Sequence, residues 1–137
     1  MDKMIGEEAA LAMIFSGDAL YAQGENPDLE YAVPKEGTEF WIDAWAIPKN
    51  AKNKENAEAF INFMCRPDVA YTNFEYLGYS TPNVTAWEII EEEDPESYEN
   101  EILFPPEEVY EICETPKYLG AEADEKYNAL WRELKAE

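Results

Sequence analysis

Trp41, Asp43 and Trp45 stand two residues apart in the run Phe40-Trp41-Ile42-Asp43-Ala44-Trp45-Ala46-Ile47-Pro48. The β-branched and aromatic content of this run, with Gly37 before it and Pro48 closing it, reads as a strand. Side chains two apart on a strand share a face, so one face would carry two indole rings around a carboxylate while Phe40, Ile42 and Ala44 turn to the core. An organic ammonium is attracted both by the π face of an indole and by a carboxylate charge. The chemistry suited to this spacing is capture of a cationic amine. The competing reading is structural: aromatic strand residues are commonly core, and an Asp near a strand end commonly ties down a backbone amide.

The remaining inventory points away from catalysis. Histidine is absent, which removes the commonest general base and the commonest zinc ligand. No glycine-rich phosphate loop, nucleophile elbow, HExxH helix or EF-hand loop occurs. With 31 acidic residues in 137, some carboxylates must fall close together, so an acid pair is no sign of glycoside hydrolysis. Cys65 and Cys113 form no CxxC pair, and the position of Cys65 on an apolar helix face predicts a buried free thiol. No enzyme activity, cofactor or metal site is expected.

The net charge of −21 repels nucleic-acid phosphates and favours cations or basic protein surfaces as partners. The run Glu91-Glu92-Glu93-Asp94 reads as a solvated face. An aromatic content of 14% argues against disorder, and an apolar content of 46% suffices for a core in a chain of one-domain length. No apolar stretch approaches the roughly 20 residues that cross a bilayer, and no basic, apolar leader opens the chain. The sequence as it stands reads as soluble and without an export signal, which leaves an exported parent open.

The elements that must position these residues follow from periodicity. Ala9 to Phe15 reads as a buried strand, Ser16-Gly17-Asp18 as a turn in which Ser16 caps a short helix through Tyr21, and Leu29 to Val33 as another strand. Strand, helix, strand predicts an α/β fold with parallel pairing. Phe15 then lies at the carboxyl end of its strand, where open α/β sheets hold ligands, so it is a candidate site wall as well as a candidate core aromatic. Asn53 is a plausible N-cap for a helix carrying Ala57, Phe60, Ile61 and Met64 on one face. Pro67 opens a second helix, Val69 to Tyr76, which Gly78 stops before the extended loop Tyr79 to Asn83. Val84 to Ile90 predicts a helix bearing Trp87, followed by an acidic loop with Pro95, the extended piece Ile102 to Pro106, and a helix from Glu107 to Cys113. The last helix sets Ala123, Tyr127, Leu130, Trp131 and Leu134 on one face, predicted to dock on the core. No repeat, heptad run or low-complexity linker marks an internal boundary.

Several blocks in order carry a resemblance. They are Met13-Ile14-Phe15-Ser16-Gly17, Val33-Pro34-Lys35-Glu36-Gly37, Phe40-Trp41-Ile42-Asp43 and Ala46-Ile47-Pro48, then Ala51-Lys52-Asn53-Lys54-Glu55, Ile61-Asn62-Phe63, Arg66-Pro67-Asp68-Val69-Ala70 and Gly78-Tyr79-Ser80-Thr81-Pro82-Asn83. Together they resemble the carboxyl-terminal part of the spermidine/putrescine-binding proteins of bacterial ABC importers, and the likeness fades after Ile90.

The resemblance implies part of a two-lobed, type II periplasmic-binding-protein fold that closes on a linear polyamine. Residues 1–41 would belong to the carboxyl-terminal lobe, 42–88 would return to the amino-terminal lobe, and 89–137 would complete the carboxyl-terminal lobe with its last helix. Most of the amino-terminal lobe would be missing. By position, Trp41 looks like a stacking wall, Asp43 like an amine-binding carboxylate, and Tyr79 like a stacking or hydrogen-bonding residue opposite. Phe15 falls where the family often has tryptophan, which keeps stacking but removes an indole N–H. The family's late glutamine has no counterpart around Glu114-Thr115-Pro116-Lys117.

The implied partners are a polyamine and, for the full-length parent, an ABC permease at the periplasmic or extracellular face of the membrane. Nucleic acid is not a partner. The helices bearing Phe60 and Phe74 would face the missing lobe, which predicts a homodimer, an exchanged oligomer or association with another fragment. Two rival functions stay in view: a receptor for another cationic solute, and an acidic module that meets a basic protein surface.

Overall fold

The structure is a computed structural model that describes residues 1–136. Its helices are α1 (Asp2–Ile5), α2 (Ser16–Glu25), α3 (Lys54–Met64), α4 (Pro67–Leu77), α5 (Val84–Glu93), α6 (Pro95–Tyr98), α7 (Glu107–Ile112) and α8 (Ala121–Lys135).

The centre of the molecule is built by α4 and α5, whose boundaries have local causes. Arg66 is extended, as a residue before proline must be, and Pro67 occupies the first turn of α4, where an N–H has no helical partner. The Arg66 guanidinium forks onto the Asp68 carboxylate at 3.1 and 2.6 Å across that turn. Gly78 ends α4 in the left-handed region at φ 69°, and its amide donates to the Phe74 carbonyl. Asn83 caps α5 by accepting from the Ala86 amide at 3.2 Å, while its Nδ2 donates to the Cys65 carbonyl at 2.7 Å. One side chain thus starts α5 and ties it to the end of α3.

Between α4 and α5 lies the core: Phe74, Ile90 and Leu103, surrounded by Leu20, Tyr71, Trp87, Tyr98 and Phe104. The Phe104 ring stands 6.0 Å from Phe74, 5.6 Å from Trp87 and 5.3 Å from Tyr98. Trp87 fixes its own tilt by donating Nε1–H to the Thr81 carbonyl at 2.6 Å. Leu20 brings α2 onto this cluster, and α1 is tied to the end of α2 where Asn26 Nδ2 donates to the Ile5 carbonyl at 3.1 Å.

The predicted strands do not form. Residues 9–15, 29–33 and 40–48 contain no strand, and sheet pairing among the described residues is one isolated parallel bridge, Glu39 with Glu114. There the Phe40 amide donates to the Glu114 carbonyl and the Glu114 amide to the Thr38 carbonyl, both at 2.9 Å. Gly37, at φ 96°, lets the chain turn beneath the Ile112 carbonyl, where a Cβ would collide. A strand is stable only when a neighbour takes up its N–H and C=O groups along its length, and among the described residues these segments have no such pairing beyond the Glu39–Glu114 bridge. Leu11, 91% exposed, the fully exposed Met13, and Ile42 and Ala44, expected to turn to the core, are all left without a cover. Within the described residues the architecture is therefore helical with extended connections, where an α/β arrangement was expected.

Five further expectations differ from the structure. The apolar face of α8 does not dock: Tyr127, Leu130, Trp131 and Leu134 are all exposed. Cys65 is exposed because α3 stops at Met64 and leaves it at the C-cap, although both thiols are free. Phe74, expected to face a missing lobe together with Phe60, is only 4% exposed because α5 and Leu103 cover it, whereas Phe60 is 49% exposed. Ser16 starts α2 but makes no side-chain cap bond, since Phe15 holds the cap position. Asn53 likewise sits at the cap of α3 without a side-chain bond.

Candidate functional site

Three chain segments distant in sequence meet at one aromatic group. Phe15 is the last extended residue before α2, Trp41 follows the Glu39 bridge by two residues, and Tyr79 follows the left-handed Gly78 that ends α4. The Phe15 and Trp41 rings lie 4.7 Å apart with planes at 55°, and Trp41 and Tyr79 lie 6.1 Å apart at 71°. Trp41 is the middle ring of the three. Both separations fall in the range where tilted and edge-to-face aromatic pairs attract. Trp41 and Tyr79 are half-buried, while Phe15 keeps half its surface in solvent and Asp43 is exposed.

The carboxylates gather on the Tyr79 side. The Tyr79 phenol is pushed above its ordinary value of 10.0, first by burial and then by the negative charge of Asp18. The Asp18 backbone amide pulls the other way, and the charges of Asp43 and the neighbouring Tyr31 raise it further. Tyr79 is thus a neutral phenol at physiological pH with two acids in its field. An indole face, a phenol and two carboxylates can hold a protonated amine and the apolar carbons beside it. They supply neither a nucleophile with a base nor a metal cage; among the described residues no cluster of three His, Cys, Asp or Glu side chains is arranged to bind a metal.

All four residues singled out by sequence, Phe15, Trp41, Asp43 and Tyr79, belong to this one neighbourhood. Trp45 does not: because the segment is not a regular strand, its indole turns to α3 and meets Phe60 edge-on at 5.3 Å. The two-indole face around Asp43 is corrected accordingly to one indole with Phe15 and Tyr79. Asp18 was missed. Its only signal was an acid in the turn after Phe15, and its neighbour across space, Tyr79, is visible only in three dimensions. Two open hollows elsewhere, one beside Met4, Glu8 and Asn26 and one beside Leu20, Glu75 and Asp94, include none of these residues.

Residues 1–105 match the family described as bacterial extracellular solute-binding protein. The chain belongs to that family. It is 40% identical over 129 residues to the spermidine/putrescine-binding periplasmic protein of Escherichia coli (strain K12), covering 94% of this chain and 36% of that protein. Among solved structures, the spermidine/putrescine ABC transporter substrate-binding protein PotD from Streptococcus pneumoniae strain Canada MDR_19A superposes with a TM-score of 0.81. The two are 36% identical, with 98% of this chain and 41% of that one covered. A candidate spermidine/putrescine ABC transporter protein from Listeria monocytogenes gives a TM-score of 0.80 at 41% identity, over 88% of this chain and 36% of its own. The chain therefore spans somewhat over a third of the length of the relatives it matches.

Proposed function

We propose that this chain is part of the substrate-binding component of an ABC importer and takes a polyamine of the spermidine or putrescine type. The reading rests chiefly on the Phe15, Trp41, Tyr79 ring group with Asp43 and Asp18 beside it. A polyamine alternates protonated amines with apolar carbons, so its recognition calls for carboxylates set along a slot of aromatic walls. Trp41 stacks on the methylene chain with Phe15 as the outer wall. Asp43 takes an ammonium, and Tyr79 offers its hydroxyl opposite. The names of the relatives support the same solute class.

In this proposal the ligand lies between two lobes, with residues 1–41 and 89–137 in one and 42–88 returning toward the other. The partner of the whole receptor is an ABC permease, and the place of action is the periplasmic or extracellular face of the membrane. The exposed apolar faces of α3 and α8 favour a homodimer or an exchanged oligomer of this chain. Calorimetric titration of the chain with spermidine, putrescine and a monoamine of matching length tests the reading. Preference for the polyamines, weakened by Asp43→Asn, is expected; equal response to the monoamine overturns the polyamine assignment and leaves a general cation receptor.

A further inference from the structure

Gly17 is the buried second residue of α2, and the Tyr79 ring lies directly on its bare Cα. A Cβ at this position would stand 2.5 Å from Tyr79 Cε2, 2.6 Å from Tyr79 Cζ and 2.7 Å from the Gly78 carbonyl oxygen. Carbon atoms in contact keep about 3.5–4.0 Å, so the ring or the turn behind it would have to move. The backbone does not ask for glycine here, since Gly17 is helical and is not among the glycines with positive φ. In a helix alanine is the better residue. What glycine provides at position 17 is room for the Tyr79 ring and for the Gly78 carbonyl that precedes it.

The same helix supplies its own control. Gly24, near the other end of α2, has no atom within 4 Å of the place a Cβ would occupy. Gly17→Ala and Gly24→Ala therefore make the same chemical change in one helix, one beneath the aromatic group and one in open space.

We propose that Gly17 is a positioning residue for ligand capture: the absence of its side chain seats the Tyr79 ring edge-on to Trp41, and any larger residue weakens binding by displacing Tyr79. The ligand part of this inference rests on the polyamine reading above; the seating part stands without it. Tyr79 is the one phenol of the group, its ring meets Trp41, and the charges of Asp18 and Asp43 both act on it, so a shift of its ring alters its relation to the indole and to the acids at once.

The test uses the wild-type chain, Gly17→Ala, Gly24→Ala, Tyr79→Ala and the double variant Gly17→Ala/Tyr79→Ala. Three quantities are read: helix content by circular dichroism, the Tyr79 phenol titration by NMR of ring-labelled tyrosine, and spermidine affinity. Gly24→Ala should leave the titration and the affinity unchanged. Gly17→Ala should keep its helix content, return the Tyr79 titration toward its ordinary value, and weaken spermidine about tenfold or more, equivalent to about 1.4 kcal/mol. In the Tyr79→Ala background the alanine at 17 should add less than about a twofold effect, the signature of two residues acting through one contact. If Gly17→Ala alone loses helix, recovery in the double variant supports the contact and loss in both overturns it. An unmoved Tyr79 titration in Gly17→Ala, or an equal loss of affinity with and without Tyr79, also overturns the proposal. Should the wild-type chain ignore spermidine, the polyamine reading fails while the titration still decides the seating.

Discussion

The Trp41 indole meets the Tyr79 ring edge-on, 6.1 Å away with planes at 71°. The two residues arrive from unrelated directions, Trp41 from the segment held by the Glu39–Glu114 bridge and Tyr79 from the turn that ends α4. This meeting joins two separate chain segments into one wall, and it makes the wall sensitive to anything that shifts the end of α4.

Asp18 and Asp43 both act on Tyr79, so each should matter for a ligand carrying positive charge. Asp43→Asn is expected to weaken spermidine by about tenfold to a hundredfold, as loss of a charge-assisted hydrogen bond of about 1.5–3 kcal/mol implies. Asp18→Asn should cost less, because Asp18 is reached beside the phenol. Titrations of both variants at one low salt concentration check the order.

Alkaline pH should destabilise the fold through its tyrosines. The phenols of Tyr31, Tyr79 and Tyr110 are all raised, in each case chiefly by burial. A group with a raised folded value keeps its proton in the native state after the unfolded chain has lost it. Stability should be constant with respect to these groups below the ordinary value of 10.0 and fall as pH climbs from there through the raised values. Denaturant melts between pH 8 and 11 measure this, and Tyr79→Phe should flatten part of the decline.

Core and surface apolar residues should separate cleanly. Ile90 is 0% exposed between α4 and α5, and Ile90→Ala should lose about 2–5 kcal/mol of stability. Leu130 on α8 is exposed, and Leu130→Ala should shift the same unfolding curve by less than about 0.5 kcal/mol in dilute protein. Urea melts of the two variants decide this.

The open face of α8 has its own expectation. Tyr127, Leu130, Trp131, which is 57% exposed, and Leu134 form a stripe with no cover among the described residues. Sedimentation should show concentration-dependent association that Trp131→Glu with Leu134→Glu abolishes. A monomer across the whole concentration range would remove the oligomer from the account.

What the sequence disclosed and what it withheld divide along the range of the forces involved. The helices carrying Phe60, Phe74, Trp87 and Trp131 were visible because a helix satisfies its backbone locally and writes its period into one segment. Gly78 and Pro67 marked ends for equally local reasons. The strands at Ala9 to Phe15 and Phe40 to Pro48 were misread because a strand depends on neighbours that a one-segment pattern cannot reveal. Trp45 followed the same error onto Phe60. Phe15, Trp41, Asp43 and Tyr79 were legible as types suited to an amine, whereas the relations of Asp18 and Gly17 to Tyr79 required the fold, since both act across space.

The most direct measurement is a spermidine titration of the wild-type chain and of Trp41→Ala at low and at high ionic strength. Saturable binding at low salt that weakens at high salt is predicted, with Trp41→Ala reducing affinity by the roughly 0.5–2 kcal/mol of a cation–π and stacking contact. Absence of binding at low salt, or binding that Trp41→Ala leaves untouched, would contradict amine capture at this wall.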